Sequence, residues 1–463
     1  MLPGAPRDPA RRSPPDAPQN PLATRRAEVT RILDESLARG RAYDLLVSLC
    51  AAAPHRLAGS PGAARAVEWA RERMVEIGLE NVRLEPCTVP CWERGSLARL
   101  AFTAPARLAG EELAVLALGG SVATPPEGLE AEVVLLQRFE GLRALGGGAA
   151  GRIVLFDRPL DETQRDPFAG YGGAVDQRAR GAVEAARAGG VAALVRSITT
   201  RHDDVPHTGA MGYEDGVPRV PAAAVGTRSA DRLAALLAAG ETVRVRLQLD
   251  CAWRDPAPSF NVVGELRGAE RPEEIVLLGA HLDAWDVGQG AHDDGAGCVH
   301  SLEAVRLLRA LGLRPRRTIR VVLFMNEENG LAGGRAYARD HAGEADRHVA
   351  ALESDRGGFL PRGFTTSAGE AGLAALREAA ALLAETGAEK VVPGGGGADI
   401  GPLGRLGVPL IGFLPDGQRY FDVHHSAHDT IESVSRRELH LGAAAIAALA
   451  WLLADSPAAL PRE

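Results

Sequence analysis

The stretch from Gly279 to Gly297, GAHLDAWDVGQGAHDDGAG, places His281, Asp283, His292, Asp293 and Asp294 among glycines, and about 30 residues later the doublet Glu327-Glu328 closes an apolar run. Histidine and carboxylates are the side chains that hold zinc. A carboxylate next to a ligand, but not itself one, is what a metal-activated water needs as proton acceptor. The pattern reads as half of a two-metal site, and hydrolysis is the chemistry it predicts.

Each candidate has a plainer use to set beside the chemical one. In His281-Leu282-Asp283 the two polar residues are two apart, so on an extended chain they point the same way and the Asp283 carboxylate can accept the second imidazole N–H. Asp293 and Asp294 precede a helix, where an aspartate often serves only as a cap. Two adjacent aspartates following a histidine, with glycines that let backbone approach closely, suit a carboxylate bridging two metals better than capping alone. Glu327 and Glu328 stand at the end of a buried run, where like charges repel and lose solvation unless cations compensate them. One would bind metal while the other takes the water's proton and passes it to the leaving amine. Asp355 and His425 complete the set, with competitors: Glu353 shares a strand face with Asp355, and His424 and His428 flank His425 in YFDVHHSAHDT.

The elements around these residues explain how they would meet. Apolar runs at 275–280, 318–325, 348–352 and 408–414 alternate with helical segments at 294–311, 330–341, 369–386 and 437–454. Runs of Val, Ile and Leu without a polar face suit central strands covered by helices on both sides, which predicts an α/β fold with a mostly parallel central sheet. His281, Glu327 with Glu328, Asp355 and His425 each follow one such run. In an open α/β sheet the carboxyl ends of the strands border one crevice, so topology would gather these residues.

Further upstream, 24–39 and 62–78 show helical spacing, Gly78 is placed to end the second helix, and 81–89 and 98–103 read as strands. From about 119 to 250 short strands, such as 132–137 and 151–156, lie between glycine-rich turns, with helices at 181–188 and 229–237. This is expected to be an inserted β-rich domain. The division is then 1–22 tail, 23–118 first part of the catalytic domain, 119–250 insertion and 251–463 second part. His202 and His207, in a loop with Asp203 and Asp204, read as solvated rather than metal-binding.

A chain of 463 residues exceeds one typical core, which fits two domains. The net charge of -8 argues against nucleic acid or anionic membrane as a general partner. Lys390 is the only lysine. The five cysteines show no Cys-x-x-Cys spacing and are expected to be reduced and structural. The first 22 residues are rich in proline and polar residues, without the apolar core of a secretory signal, and no later run reaches the roughly 18 apolar residues that span a bilayer. A cytoplasmic protein is the expectation.

These motifs resemble the co-catalytic zinc aminopeptidase family, and within it the carboxypeptidase Q (plasma glutamate carboxypeptidase) branch. The likeness runs through HRLAGSPGAARAVEWARERMVEIGL, VPCWERG, TPPEGLEAEVVLL, GAHLDAWDVGQGAHDDGAG, FMNEENGLAGGRAYA, ESDRGG and YFDVHHSAHDT. The insertion is similar to a protease-associated domain in GRIVLFDR and AARAGGVAALVRS. The resemblance implies two zinc ions per chain. Asp293 would bridge them, with His281 and Asp355 on one, and Glu328 and His425 on the other. It makes Glu327 the general base for a zinc-bridging hydroxide and puts His424 beside the developing oxyanion. Asp429, of the Asp-Thr pair that marks His425, joins Asp283 and Asp294 in support, and a cis peptide is implied between Asp293 and Asp294. Asn326 departs from the small or apolar residue many relatives carry there.

The resemblance therefore implies an exopeptidase cleaving small peptides or dipeptides, with a homodimer as its assembly. A broad aminopeptidase shares the same metal centre and differs in how peptide termini are held. A non-catalytic, receptor-like protein would have lost ligands, whereas all five and the base are present. A glutaminyl-cyclase-like transferase would keep a single zinc, which the retained His281 and Asp355 oppose. Gly394–Gly397 with Asp399 is expected to border the cleft.

Overall fold

A computed structural model describes residues 21–462, so the tail expected over 1–22 falls almost entirely outside the described residues. Strand β1 (Glu80–Glu93) leads into a second structural unit containing β2 (Ala98–Ala104), β3 (Glu112–Leu113), β4 (Val115–Ala117), β5 (Leu129–Leu136), β6 (Ile153–Phe156), β7 (Ala192–Arg196), β8 (Ala222–Val225) and β9 (Arg244–Leu249). The chain then returns through β10 (Ala252–Leu266), β11 (Arg271–His281), β12 (Arg317–Phe324), β13 (His348–Glu353), β14 (Pro361–Thr366), β15 (Lys390–Pro393) and β16 (Leu410–Pro415).

The first sheet has the order β1-β10-β12-β11-β13-β16-β14-β15. Its centre, β12-β11-β13-β16, is parallel, and antiparallel strands lie toward its edges. The parallel strands are buried on both faces, as their unbroken Val, Ile and Leu runs require. Helices 42–52, 61–77, 296–310 and 436–454 pack on one face around Leu46, Met74, Leu302 and Ile446. Helix 332–340 and the turn 401–404 cover the other through Tyr337, Ala338, Ile400 and Leu403. Gly78 ends helix 61–77 in the left-handed conformation (φ 82°), as its position predicts.

Two expectations need correction, and one helix joins the predicted elements. The insertion begins near residue 94 rather than 119, because β2 pairs with β9 and buries Leu100 and Phe102 against Val245 and Leu247 in the second core. Helix Ala42–Ala52, whose Leu45, Leu46 and Leu49 have helical spacing, adds to the elements read from the sequence. Helix Arg436–Ala454 is long and apolar enough by length and hydropathy to cross a membrane, but 83% of its apolar window is buried against the sheet, where its small residues allow close packing. The second sheet, β3-β2-β9-β5-β6-β7-β8-β4, carries helices 167–172, 176–187 and 227–238.

Candidate metal centre

Four neighbouring parallel strands end at the same edge of the first sheet, and each delivers a polar side chain there. His281 is the last residue of β11, Glu327 and Glu328 follow β12, and Asp355 follows β13. His425 arrives after β16 and the helical turn 420–423, in the left-handed region (φ 58°).

Asp293 lies between the two histidines. Its Oδ1 is 3.2 Å from His281 Nε2 and its Oδ2 is 3.3 Å from His425 Nε2. Asp355 Oδ1 is 3.4 Å from His281 Nε2, and Glu328 Oε2 is 3.1 Å from His425 Nε2. The arrangement is thus two histidine–carboxylate pairs sharing one aspartate. His424 Nε2 is 3.8 Å from Asp293 Oδ2, and its ring stacks on that of His425 with centroids 3.6 Å apart.

The competitors are occupied elsewhere. Glu353 accepts the Ile400 N–H at 2.9 Å and the Asp399 N–H at 3.4 Å, so both of its oxygens are occupied by backbone donors. His428 Nε2 faces Asp203 at 3.1 Å. His292 stacks on Phe359 (4.2 Å), accepts the Gly358 N–H and faces the Ser433 carbonyl.

Asp283 differs from the expectation. The Asp283 backbone carbonyl, 3.0 Å from His281 Nδ1, orients the imidazole, while the carboxylate is 3.8 Å away. The carboxylate instead accepts the backbone N–H groups of Asn326 (2.7 Å), Glu327 (3.0 Å) and Glu328 (3.4 Å). At the end of β12 these donors have no ladder partner, and a buried carboxylate that satisfies all three fixes the Glu327-Glu328 turn. Asp294 accepts the His281 and Gly297 N–H groups (3.1 and 3.0 Å), and Asp429 those of His292 and Asp293 (2.7 and 3.0 Å). The Asp293–Asp294 peptide is cis, as the resemblance implies. Asn326, with φ 75°, accepts the Ala332 N–H, so the residue that departs from the family pattern shapes this turn.

Other supports carried no clear mark in the sequence. Arg56, fully buried, donates to the carbonyls of Leu282, Gln289 and Gly290 and holds together the loop between His281 and Asp293. The inserted unit braces the histidines: the Thr208 carbonyl lies 3.3 Å from His425 Nδ1 and Arg178 Nη1 3.5 Å from the same nitrogen. His207 is buried, not solvated, because its loop is clamped between the units with Nδ1 2.6 Å from the His424 carbonyl. His202 is exposed and faces Asp231.

The donor set suits divalent zinc. Imidazole nitrogens and carboxylate oxygens are its usual ligands, and each histidine is held through its other nitrogen. His281 Nε2 is buried without a well-directed hydrogen-bond partner. Burial, Asp355 and Glu328 push the Glu327 carboxyl well above its usual range, and burial and Asp293 push Glu328 up to about 7. Burial opposes the His425 imidazolium, but Glu328 and Asp293 outweigh it and raise the ring to about 10. Carboxylates so crowded call for cationic compensation, and two three-residue groups able to hold an ion share Asp293: one with His281 and Asp355, the other with His424 and His425.

The sequence pattern of Peptidase family M28 matches residues 261–450. Carboxypeptidase Q of Bos taurus is 37% identical over 92% of this chain and 88% of its own length, and that of Homo sapiens is 36% identical with the same coverage. The crystal structure of a peptidase M28 precursor from Shewanella amazonensis SB2B superposes with a TM-score of 0.91 at 36% identity, covering 95% of this chain and 99% of that one. A zinc aminopeptidase from Bacillus subtilis shares the fold, with a TM-score of 0.66 at 21% identity over 90% of this chain and 96% of that one.

Proposed function

The chain belongs to Peptidase family M28, and we propose that it is a zinc-dependent exopeptidase cleaving small peptides or dipeptides at a two-zinc centre. The observation that carries this proposal is the position of Asp293, with one oxygen toward His281 and the other toward His425. In this assignment His281 and Asp355 would hold one zinc, Glu328 and His425 would hold the other, and Asp293 would serve both. When bound, zinc supplies Lewis acidity that activates water and polarises the scissile carbonyl.

The protein's own groups do the remaining work. Glu327 is adjacent to a ligand but is not needed as one, and its backbone is held by Asp283. It takes the proton from the attacking water and returns it to the departing amine. Burial holds the His424 pKa well below its usual range, so the neutral ring can offer one N–H to the negative charge developing on the carbonyl oxygen. Tyr171, Tyr420 and Phe421 surround that ring and limit its orientation.

The inserted unit corresponds in this proposal to a protease-associated domain, supported by the GRIVLFDR motif on β6 and the AARAGGVAALVRS motif spanning helix 176–187 and β7. A homodimer, implied by the family resemblance, is tested by light scattering of the purified protein. The central test is Glu327→Gln. With zinc content retained by elemental analysis, dipeptide hydrolysis should fall by a factor on the order of 10² to 10⁴. Hydrolysis unaffected by the substitution would remove Glu327 from the mechanism.

A further inference from the structure

Accepting the exopeptidase proposal, we propose that the cavity beside Asp355 contains a subsite for a peptide carboxylate, with Arg356 and Lys390 as its recognising groups. The cavity measures about 690 Å³ and extends from Asp355 and Glu353 along β15 and Gly394–Gly397 to Phe168 of the inserted unit. Its position against Asp355 puts any ligand it holds next to the metal centre.

Charge determines the kind of ligand. The cavity's acids are committed: Asp355 faces His281, Glu353 accepts two backbone N–H groups, and Asp166 accepts the Phe168 N–H at 3.0 Å. The cavity's cations are not. Among the described residues neither Arg356 nor Lys390 has an acidic partner or a side-chain hydrogen bond; the Arg356 guanidinium lies 4.4 Å over the Phe168 ring. An arginine stacked by its face keeps its N–H edge free, and that edge matches the two oxygens of a carboxylate. Lys390, which composition alone left without a role, adds a second positive charge to the cavity's lining. Asp355 and Arg356 line the same cavity, so a peptide held by its carboxylate at Arg356 shares that cavity with the centre. Phe168, Val392 and Phe413 provide apolar wall for the side chain of the residue released.

The carboxylate has two possible sources, the free C-terminus and an acidic side chain, and three substrates separate them: Ala-Ala, Ala-Ala amide and Ala-Glu amide. With zinc-loaded full-length enzyme, amidation of Ala-Ala should raise KM on the order of 10- to 100-fold, the effect of losing a charge-assisted pair. Arg356→Gln should collapse that preference toward unity, Arg356→Lys should restore part of it, and Lys390→Met should reduce it. Recovery of a low KM with Ala-Glu amide, lost again in Arg356→Gln, would identify the side chain as the source. Equal losses on free and amidated substrates in the variants, or no preference in the wild type, would overturn the subsite. A preference that instead follows N-acetylation would overturn it.

Calorimetry separates this result from failure of the exopeptidase proposal. If no peptide is cleaved, Ala-Ala must still bind the zinc-loaded protein more tightly than its amide, with Arg356→Gln abolishing the difference; equal binding of the two would overturn the subsite.

Discussion

Replacing Asp283 with asparagine tests which part of the centre its carboxylate supports. The side chain is fully buried, with one oxygen accepting the Asn326 and Glu327 N–H groups at 2.7 and 3.0 Å and the other the Glu328 N–H at 3.4 Å. Asparagine keeps one oxygen, which retains the shorter pair as neutral hydrogen bonds, while its NH2 opposes the Glu328 N–H. A hydrogen bond to a charged group contributes about 1.5–3 kcal/mol and a neutral one about 0.5–1.5, so exchanging three of the first kind for two of the second loses about 3.5–6 kcal/mol. The amide also avoids the cost of burying a carboxylate, the effect that raises the Asp283 pKa. The net destabilisation expected is about 1–3 kcal/mol, read as the shift in urea unfolding of the metal-free protein. Loss of such supporting bonds weakens metal binding about 10- to 100-fold. Because the carbonyl that orients His281 is untouched, a chelator-competition titration should show the weakening on the Glu328–His425 side, leaving the His281–Asp355 side near wild type. Unchanged stability, or equal weakening on both sides, would refute this division of labour.

Three further perturbations probe the surroundings. A Cβ on Gly297 would lie 1.9 Å from the Ser354 carbonyl oxygen and 2.5 Å from both Asp294 oxygens, so Gly297→Ala should lose zinc and melt at lower temperature; Gly343→Ala, which meets open space, should stay within about 0.5 kcal/mol of wild type. Arg56→Met should cost about 3–5 kcal/mol in denaturant unfolding, because three carbonyls lose a buried cationic donor. In the Glu85–His341–Glu344 cluster, burial lowers the His341 pKa, but the two glutamates outweigh it and raise it; burial raises that of Glu344, but Arg320 and His341 outweigh it and lower it to about 2. The histidine's contribution is complete below its unfolded value of about 6.5 and fades as pH rises through the folded value, whereas that of Glu344 fades as pH falls from about 4.5 toward 2. Melting curves should therefore separate wild type from His341→Gln most between about pH 4.5 and 6.5 and converge at higher pH; a constant gap would contradict this.

How legible the centre is in the sequence depends on the range of the interaction. His281, the Glu327-Glu328 pair and Asp355 follow apolar runs that only a parallel sheet would bury, and parallel strands end at one edge, so their convergence follows from local pattern plus topology. The choice of Asp355 over Glu353 does not follow, since both project from one face; it is made by backbone N–H groups at 399 and 400, far along the chain. The same holds for Asp283, whose spacing from His281 suggested one partner while unpaired donors at the end of a neighbouring strand supplied others. His207 looked like part of a polar loop because nothing nearby reveals that the loop is covered by the segment carrying His424 and His425. The apolar run at 98–103 marks a strand, but its partner at 244–249 decides which sheet it joins.

The pairing of β1 with β10 has a topological consequence. Glu93 lies opposite Ala252, so the second sheet departs from and returns to the end of one antiparallel ladder, as though a hairpin turn had been enlarged into a whole folding unit. Closure entropy grows only logarithmically with loop length, so a ladder that closes a short turn can tolerate a large guest between its strands. The host sheet could thus acquire its guest without redrawing its own topology, and the contacts of Thr208 and Arg178 with His425 make that guest a structural partner of the host's chemistry.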